Sequence, residues 1–235
     1  METNMTVPQH IAMIMDGNRR WARKRGLPPQ LGHNEGANTM EVVAKYCEKI
    51  GVKYMTVFAF STENWKRSEE EVDYLMKLLE KFIRDFEKRS SGRNIRIKLI
   101  GDITRLPKTL QEGIIDIEEK TKDKTGLTVN LAINYGGRAE ITNAAKNIAK
   151  DVADGKLKIE DIDDKLVGTY MYTGEMPDPD LVIRTGGEER LSGFLPWQSV
   201  YSEFYFTECL WPDFKEKELD KAIIEYNSRK RNFGK

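Results

Sequence analysis

The stretch VKYMTVFAF, residues 52–60, decides the fold of this chain. Apolar side chains fill its second half, at Met55, Val57, Phe58, Ala59 and Phe60. A strand formed here is apolar on both faces, which is typical of parallel sheets that are covered by helices on both sides. The stretch therefore predicts a central parallel sheet, not a sheet with one face in water.

Five further short apolar runs surround this stretch, at residues 10–15, 95–101, 127–135, 180–184 and 203–207. Helical spacing of apolar residues separates most of them, at residues 35–50, 68–90, 107–124, 138–154 and 213–230. Ser68 and Glu71 form a predicted capping box at the start of the second helix. The alternation predicts one α/β domain spanning residues 1–235, with a six-stranded, mostly parallel sheet flanked by helices.

Composition excludes several kinds of function. The chain has 235 residues with 38 basic and 38 acidic side chains, so no overall positive field favours nucleic acid. Cys47 and Cys209 suit reduced thiols better than a disulfide framework. Residues 1–9 lack a secretory signal pattern, and no stretch approaches the ~20 apolar residues of a membrane span. We therefore expect a cytoplasmic protein.

Polar motifs follow four of the predicted strands. They are DGNRRW at 16–21, STENWKR at 61–67, NYGGR at 134–138 and TGGEERLS at 185–192. In open parallel sheets, ligands bind beyond the carboxyl ends of the strands, so these motifs meet on one rim. Glycines admit phosphates close to backbone N–H groups, and arginines bind phosphate oxygens in pairs. The rim therefore predicts a polyphosphate ligand.

The nucleotide-binding signatures GxxxxGK[ST] and GxGxxG are missing from these positions. The carboxylate of Asp16 suits Mg²⁺, which prefers one or two carboxylates together with phosphate oxygens and water. Asp16-Gly17 alone is more often a turn, and Arg184 alone would be a solvated strand end. Only the convergence of several motifs favours a metal-bound diphosphate.

Five segments in the same order carry a family resemblance. They are IMDGNRRWA (14–22), Gly32-His33, FSTENWKR (60–67), NYGGR (134–138) and PDPDLVIRTGGEERLSGFLPWQSVYSEFYFTECLWPDF (177–214). The chain resembles the undecaprenyl diphosphate synthase family of cis-prenyltransferases from about residue 10 onward. The resemblance implies a homodimeric, Mg²⁺-dependent enzyme that condenses an allylic prenyl diphosphate with isopentenyl diphosphate. Its product would be a longer cis-polyprenyl diphosphate.

The same resemblance implies roles for individual residues. Asp16 and Asn64 would be catalytic, and Asp16 and Glu203 would bind Mg²⁺, with Glu203 reaching the site of the partner subunit. A carboxamide has no appreciable basicity, so Asn64 is expected to orient substrate. The released proton would pass to a diphosphate oxygen or through a serine, with Ser61 the nearest candidate in sequence. The implied substrate-binding residues are Gly17, Asn18, Arg19, Arg20, Trp21, His33, Ser61, Thr62, Glu63, Trp65, Arg67, Arg184, Arg190 and Ser192.

A broad apolar stripe runs along the helix predicted at 68–90. It consists of Val72, Leu75, Met76, Leu78, Leu79, Phe82, Ile83 and Phe86. Core packing is the plain interpretation of such a stripe. The alternative is an apolar substrate tunnel, because a growing prenyl chain must be shielded from water. A long apolar product also implies transient contact with a membrane.

Two positions depart from the family pattern at expected phosphate-binding arginines. Pro29 occupies one of them, and Asn232 occupies the other, with Arg231 one position early. Arg19, Arg23, Arg25 and Arg231 are the candidates that would replace the missing charges. The departures support a second hypothesis, an atypical family member with a different starter, acceptor or irregular short-chain product. A non-catalytic partner subunit is the poorest fit, because the site residues are retained.

Overall fold

The computed structural model describes residues 5–89, 92–174 and 176–229. Its six strands are β1 (His10–Ile14), β2 (Tyr54–Ser61), β3 (Ile95–Ile100), β4 (Leu127–Tyr135), β5 (Leu181–Arg184) and β6 (Glu203–Phe206). They form one sheet in the order β3-β4-β2-β1-β5-β6, and all five neighbouring pairs are parallel. The six predicted strands are confirmed, and the sheet is wholly parallel.

Seven α-helices accompany the strands in the described residues. They are α1 (Asn18–Lys24), α2 (Pro29–Ile50), α3 (Glu69–Arg89), α4 (Lys108–Thr121), α5 (Gly137–Ala153), α6 (Asp164–Thr169) and α7 (Glu216–Ser228). Sequence patterns predicted five of them and missed α1 and α6. The helix α2 begins at Pro29, six residues before its predicted start at residue 35. Proline is favoured at this first position, because its fixed φ suits the helix and its missing N–H is not needed there.

Both faces of the sheet are buried, as the double-sided apolar runs predicted. On one face, fully buried residues such as Met13, Val57 and Leu131 join a large core that includes residues of α2, α3, α4 and α7. On the other face, Ala12 and Ala132 pack in a smaller core with Phe194 and other residues of the segment after β5. Alternate side chains of a strand point to opposite faces, so each strand contributes to both cores.

The strand order fixes where a ligand site can form. The central strand β1 has β2 on one side and β5 on the other, so the sequence order reverses beside β1. In open α/β sheets this reversal opens a crevice at the carboxyl ends of the strands. Asp16, Ser61 and Thr185 all lie at these ends. None of the helices in the described ranges is long and apolar enough to span a membrane.

Candidate active site

The carboxylate of Asp16 lies at the centre of this crevice and is held by two arginines. Its Oδ1 accepts a hydrogen bond from Arg20 Nη2 at 3.1 Å, and its Oδ2 accepts one from Arg184 Nη2 at 3.0 Å. The backbone oxygen of Asp16 also accepts from Thr185 Oγ1 at 2.7 Å and from the N–H of Trp211 at 3.0 Å. The side chain is 32% exposed, so it is fixed in place and still open to a ligand.

Close packing around Gly17 sets the direction of α1. Gly17 has a φ of 111°, and a Cβ added there would lie 2.9 Å from the side chain of Leu210. Only glycine fits this left-handed and crowded turn. A Cβ added at Gly32 would lie 2.1 Å from the backbone oxygen of Asn18, which shows how tightly α1 packs on α2. This packing directs the arginines of α1 into the crevice.

Two polar pockets meet at Asp16. The first polar pocket has a volume of about 440 Å³, and the second has about 390 Å³. Met15, Asp16 and Arg67 line both of them. The first also contains Gly17, Asn18, Arg19, Arg20, Arg23 and His33. The second also contains Ser61, Glu63, Asn64, Arg184 and Ser192. The structure thus brings together most of the predicted site residues in two cationic pockets that share one carboxylate.

Glu71 is a residue of this region that the sequence analysis placed only in a helix cap. Its Oε1 accepts from Arg67 Nη1 at 2.9 Å and lies 3.5 Å from His33 Nε2, and its Oε2 lies 3.6 Å from Arg19. Ser68 Oγ accepts from the N–H of Glu71 at 3.4 Å, so one half of the predicted capping box forms. The other half does not form, because the carboxylate turns toward the pocket cations. The sequence did offer one sign of this contact, because Glu71 follows Arg67 by four residues, a spacing that favours an ion pair.

His33 is a neutral wall residue of the first polar pocket. Its pKa is lowered from 6.5 by burial and, secondarily, by the positive charge of Arg67. His33 lies inside α2 and is buried. The side chain also lines the apolar cavity beyond the pocket, so it lies at the boundary between polar and apolar space.

The segment after β2 forms a short 3₁₀ helix, Thr62–Lys66, that presents Asn64 to the second polar pocket. Asn64 Oδ1 accepts from the N–H of Ser61 at 3.0 Å, so the carboxamide oxygen is already bound. The amide nitrogen of Asn64 can only donate, and the carboxamide has no appreciable basicity. The fixed side chain is therefore suited to orient a substrate, as the sequence analysis expects.

Four predicted substrate-binding residues do not line either polar pocket. Trp21 donates from Nε1 to Asp213 at 2.7 Å, and Trp65 donates from Nε1 to Asn134 at 2.7 Å. Thr62 donates to Glu63 at 3.0 Å. The guanidinium of Arg190 is 61% exposed and pairs with Glu188, while its backbone oxygen accepts from Arg184. In the structure, these four side chains contact other protein residues and are not exposed to either polar pocket.

The structure places Glu203 far from Asp16 within one chain. Glu203 begins β6 and pairs in register with Leu181, whereas the crevice lies beyond Arg184 and its partner Phe206. The carboxylate accepts instead from Arg229 Nη1 at 2.7 Å. Within one chain, Asp16 and Glu203 therefore do not face the same pocket. A role of Glu203 in the site of a partner subunit stays a prediction.

An apolar cavity of about 80 Å³ opens from the first polar pocket and shares Met15, Asn18 and His33 with it. Its walls include Leu75, Leu78, Leu79 and Phe82 of α3. A smaller cavity of about 30 Å³ follows and shares Met40 and Phe82 with the first. The α3 stripe is thus divided: Val72, Met76 and Ile83 pack in the core, whereas Leu78 and Leu79 face the cavity.

The departures from the family pattern are partly explained. Pro29 begins α2 on the exposed surface. Arg19 and Arg23 line the first polar pocket and supply positive charge there. Arg25 stacks on Trp21 at 4.1 Å and binds Asp213, so it is held outside the pocket. The predictions on Arg231 and Asn232 lie outside the described residues.

The described residues contain no group of three or more His, Cys, Asp or Glu side chains that could hold a metal ion. Among the described carboxylates that line these pockets, Asp16 is the one shared by both, so a cation bound there would lie at their junction. A single carboxylate fits Mg²⁺ when phosphate oxygens and water complete its coordination. Each oxygen of Asp16 accepts one arginine N–H and retains a further lone pair.

Comparison with known proteins gives the family. A family model described as "Putative undecaprenyl diphosphate synthase" matches residues 14–234. An isoprenyl transferase of Clostridium perfringens is 50% identical over 228 residues, which are 97% of this chain and 90% of that protein. An isoprenyl transferase of Streptococcus pneumoniae R6 is 50% identical over 238 residues, 100% of this chain and 94% of that protein.

Solved structures agree with these relatives. The lavandulyl diphosphate synthase of Lavandula x intermedia, in complex with dimethylallyl diphosphate, has a TM-score of 0.94 at 40% identity, covering 97% of this chain and 98% of that one. A probable undecaprenyl diphosphate synthase of Campylobacter jejuni has a TM-score of 0.80 at 37% identity, covering 98% and 100%. The chain therefore belongs to the undecaprenyl diphosphate synthase family and is a prenyltransferase.

Proposed function

We propose that this prenyltransferase condenses an allylic prenyl diphosphate with isopentenyl diphosphate and forms a longer polyprenyl diphosphate with a cis double bond. The observation that carries the proposal is the junction of three spaces at Met15 and Asp16. Two cationic pockets meet at one carboxylate, and an apolar cavity opens behind the first of them. Two negatively charged diphosphates would match the two cationic pockets, and one apolar prenyl chain would match the apolar cavity.

The first polar pocket suits the allylic diphosphate. Arg19, Arg20 and Arg23 line it, and Arg67 lies on the side shared with the second pocket. Hydrogen bonds from charged donors contribute ~1.5–3 kcal/mol each. Several arginines together are therefore enough to strengthen diphosphate binding from the millimolar to the micromolar range. The prenyl tail then enters the apolar cavity beside Leu78 and Leu79. In this proposal, C1 of the allyl group would lie at the junction, close to the second substrate.

The second polar pocket suits isopentenyl diphosphate. Arg184 is 5% exposed and donates to Ser192 Oγ at 2.8 Å, so its guanidinium is rigidly held. Asn64 offers its amide N–H groups on the opposite wall, and Phe58 gives the alkene an apolar contact. Binding both substrates at adjacent pockets turns a bimolecular reaction into a unimolecular one.

The chemical step breaks the allylic C1–O bond, and the diphosphate leaves with the electron pair. The alkene of isopentenyl diphosphate forms the new C–C bond, and a proton then leaves its C2. Arg19, Arg20 and Arg67 are positioned to stabilise the negative charge on the leaving diphosphate. Mg²⁺, held by Asp16, would supply Lewis-acid stabilisation of the same charge. The proton passes to a diphosphate oxygen, directly or through the Ser61 hydroxyl, because the Asn64 carboxamide has no appreciable basicity.

A starter-by-starter assay tests this function. Purified protein is incubated with isopentenyl diphosphate, Mg²⁺ and dimethylallyl, geranyl, farnesyl or geranylgeranyl diphosphate. Mass spectrometry is expected to show products longer by five-carbon units, NMR to show cis double bonds, and EDTA to stop the reaction. Products with only trans bonds, or full activity in EDTA, would contradict the corresponding part of the proposal.

A short-chain or irregular product is the second candidate. The solved structure with a TM-score of 0.94 is a lavandulyl diphosphate synthase bound to dimethylallyl diphosphate, a five-carbon allylic substrate. The apolar cavity of about 80 Å³ is also small. The same assay separates the candidates, because a single condensation from dimethylallyl diphosphate would favour the second over repeated elongation.

A homodimer is part of the proposal. Val200 is 67% exposed and Tyr201 is 86% exposed, just before the edge strand β6. Phe204 and Phe206 stack at 6.1 Å on that strand and are only half-buried. Exposed large apolar side chains close together in sequence at a sheet edge are consistent with a protein contact. Light scattering at micromolar concentration is expected to give twice the chain mass of 27.1 kDa.

A further inference from the structure

Asn134 stands out in the fold because its backbone is left-handed although it is not a glycine. Its φ is 48°, and the pairing of β2 with β4 passes from Phe60↔Ile133 to Ser61↔Tyr135, so Asn134 is left unpaired in a bulge. Such a bulge redirects a side chain away from the regular alternation of the strand. Asparagine tolerates this conformation better than most residues. The side chain is nonetheless buried, at 6% exposed.

Both polar atoms of the Asn134 side chain are bound to neighbouring loops. Oδ1 accepts from Trp65 Nε1 at 2.7 Å, and Nδ2 donates to the backbone oxygen of Asp102 at 2.6 Å. The indole N–H can only donate and the carbonyl can only accept, so the orientation of the carboxamide is fixed. Asn134 thereby ties the segment after β2 to the segment after β3.

Trp65 is held on three sides. Besides the hydrogen bond to Asn134, its ring contacts Phe60 edge-on at 5.0 Å, and the Arg105 guanidinium lies over it at 4.3 Å. Trp65 does not line either polar pocket, yet it lies between Asn64 and Arg67 in sequence. The indole attaches the five-residue 3₁₀ helix to the residues beneath it. This attachment matters because the hydrogen bonds within a 3₁₀ helix are themselves weak.

We infer that Asn134 is a positioning residue, which fixes Trp65 and thereby the segment 61–67 that forms one wall of the second polar pocket. Without this hydrogen bond, Asn64 and Ser61 lose their fixed distance from Arg184 on the opposite wall. The kinetic part of this inference rests on the proposed function. Its structural part does not, because the mobility of segment 61–67 can be measured without substrate.

Asn134→Gly is the sharpest test, because glycine accepts the left-handed backbone and removes both side-chain hydrogen bonds. Amides in segment 61–67 are expected to exchange hydrogen about 10-fold faster, the change expected for one lost buried hydrogen bond. The matched control is Asn130→Ala in the same strand, where a buried asparagine donates to Thr56 Oγ1 at 3.1 Å. That variant should leave exchange in segment 61–67 unchanged. Unchanged exchange in Asn134→Gly would overturn the inference.

Steady-state kinetics give the second readout. In Asn134→Gly, kcat is expected to fall up to about 100-fold, the scale for a displaced catalytic geometry, with a raised KM for isopentenyl diphosphate. Asn130→Ala should keep both constants within about 2-fold, because Asn130 lines neither polar pocket and does not contact Trp65, so the catalytic geometry is not displaced. If the wild-type chain gave no condensation product, the proposed function would fail, and the exchange result would still decide the role of Asn134.

A double-mutant cycle identifies the contact responsible. Trp65→Phe keeps an aromatic ring for Arg105 and Phe60 and removes the indole N–H together with the fused five-membered ring. If Asn134 acts through that N–H, Asn134→Gly in the Trp65→Phe background should add less than about 2-fold to the loss of kcat. Fully additive losses would show that Asn134 acts on the site by another route and would overturn the assignment.

Discussion

Replacing Asp16 by asparagine should separate its role in catalysis from its role in folding. The substitution keeps the shape and removes the charge that Arg20 and Arg184 contact at 3.1 and 3.0 Å. One of these charge-assisted hydrogen bonds is lost, because an amide has a single oxygen. Such a bond contributes ~1.5–3 kcal/mol, and partial exposure of Asp16 reduces this to about 1–2 kcal/mol. The melting temperature should therefore fall by only about 2–8 °C.

Turnover should fall far more than stability. Removal of electrostatic stabilisation from a leaving group costs about 10²–10³ in kcat. Affinity for inorganic pyrophosphate in EDTA should move the other way and rise by roughly 5-fold. Two unit charges about 4 Å apart in water repel by ~1 kcal/mol, and the substitution removes that repulsion. Mg²⁺ should no longer strengthen pyrophosphate binding in the variant, as measured by titration calorimetry.

Asp213→Asn is the control for this experiment. Asp213 also binds an arginine, Arg25, at 3.3 Å, but it does not line either polar pocket. The control should lose a similar small amount of stability and keep its turnover within about 2-fold. Turnover of Asp16→Asn near that of the wild type, or an unchanged effect of Mg²⁺ on pyrophosphate binding, would refute the proposed metal role.

Three further predictions concern the cavity, the pocket charges and the core. Leu78→Trp and Leu79→Trp should shorten the products seen by mass spectrometry, because each indole enters a cavity of about 80 Å³; unchanged lengths in both would remove these residues from the tunnel. Arg23→Ala should raise the KM of the allylic substrate about 10-fold, whereas Arg25→Ala, whose arginine is held by Asp213, should not; equal effects would contradict the pocket assignment. Burial lowers the pKa of His10 from 6.5 to about 4, so the unfolded chain binds a proton that the folded chain does not. The free energy of unfolding should therefore drop by up to about 3 kcal/mol as the pH falls from 6.5 to 4, and denaturant titrations of His10→Gln should lack this loss; equal pH dependence in both proteins would contradict it.

The strands were predictable because each is a short apolar run, and a polar motif follows four of them. The helix α1 was not predictable from periodicity. Its sequence NRRWARK has one buried residue, Ala22, and so shows no apolar stripe. The helix is instead stabilised by contacts distant in sequence, namely the close approach of Asn18 to Gly32 and the hydrogen bond from Trp21 to Asp213. No local pattern encodes such contacts.

The candidate site was predictable as a set of residues and much less so as a geometry. Motif order indicated which segments gather at the rim, and the pockets contain most of them. The direction of each side chain depends on tertiary partners. Trp65 turns to Asn134, which lies 69 positions away, and Glu203 turns to Arg229 at the far end of its strand. A motif resemblance also cannot distinguish a residue that serves its own chain from one that serves a partner subunit.

Charge balance explains why the site needs all of its components. The chain is neutral overall, with 38 charges of each sign, yet Arg19, Arg20 and Arg23 line one small pocket. Carboxylates already compensate two of them, since Arg20 binds Asp16 and Arg19 lies near Glu71. A diphosphate that enters must compete with these carboxylates for the arginines and is repelled by Asp16. A divalent cation at Asp16 would turn that repulsion into attraction. Removal of Mg²⁺ should therefore weaken substrate binding as well as chemistry, because without it the uncompensated carboxylate of Asp16 repels the diphosphate.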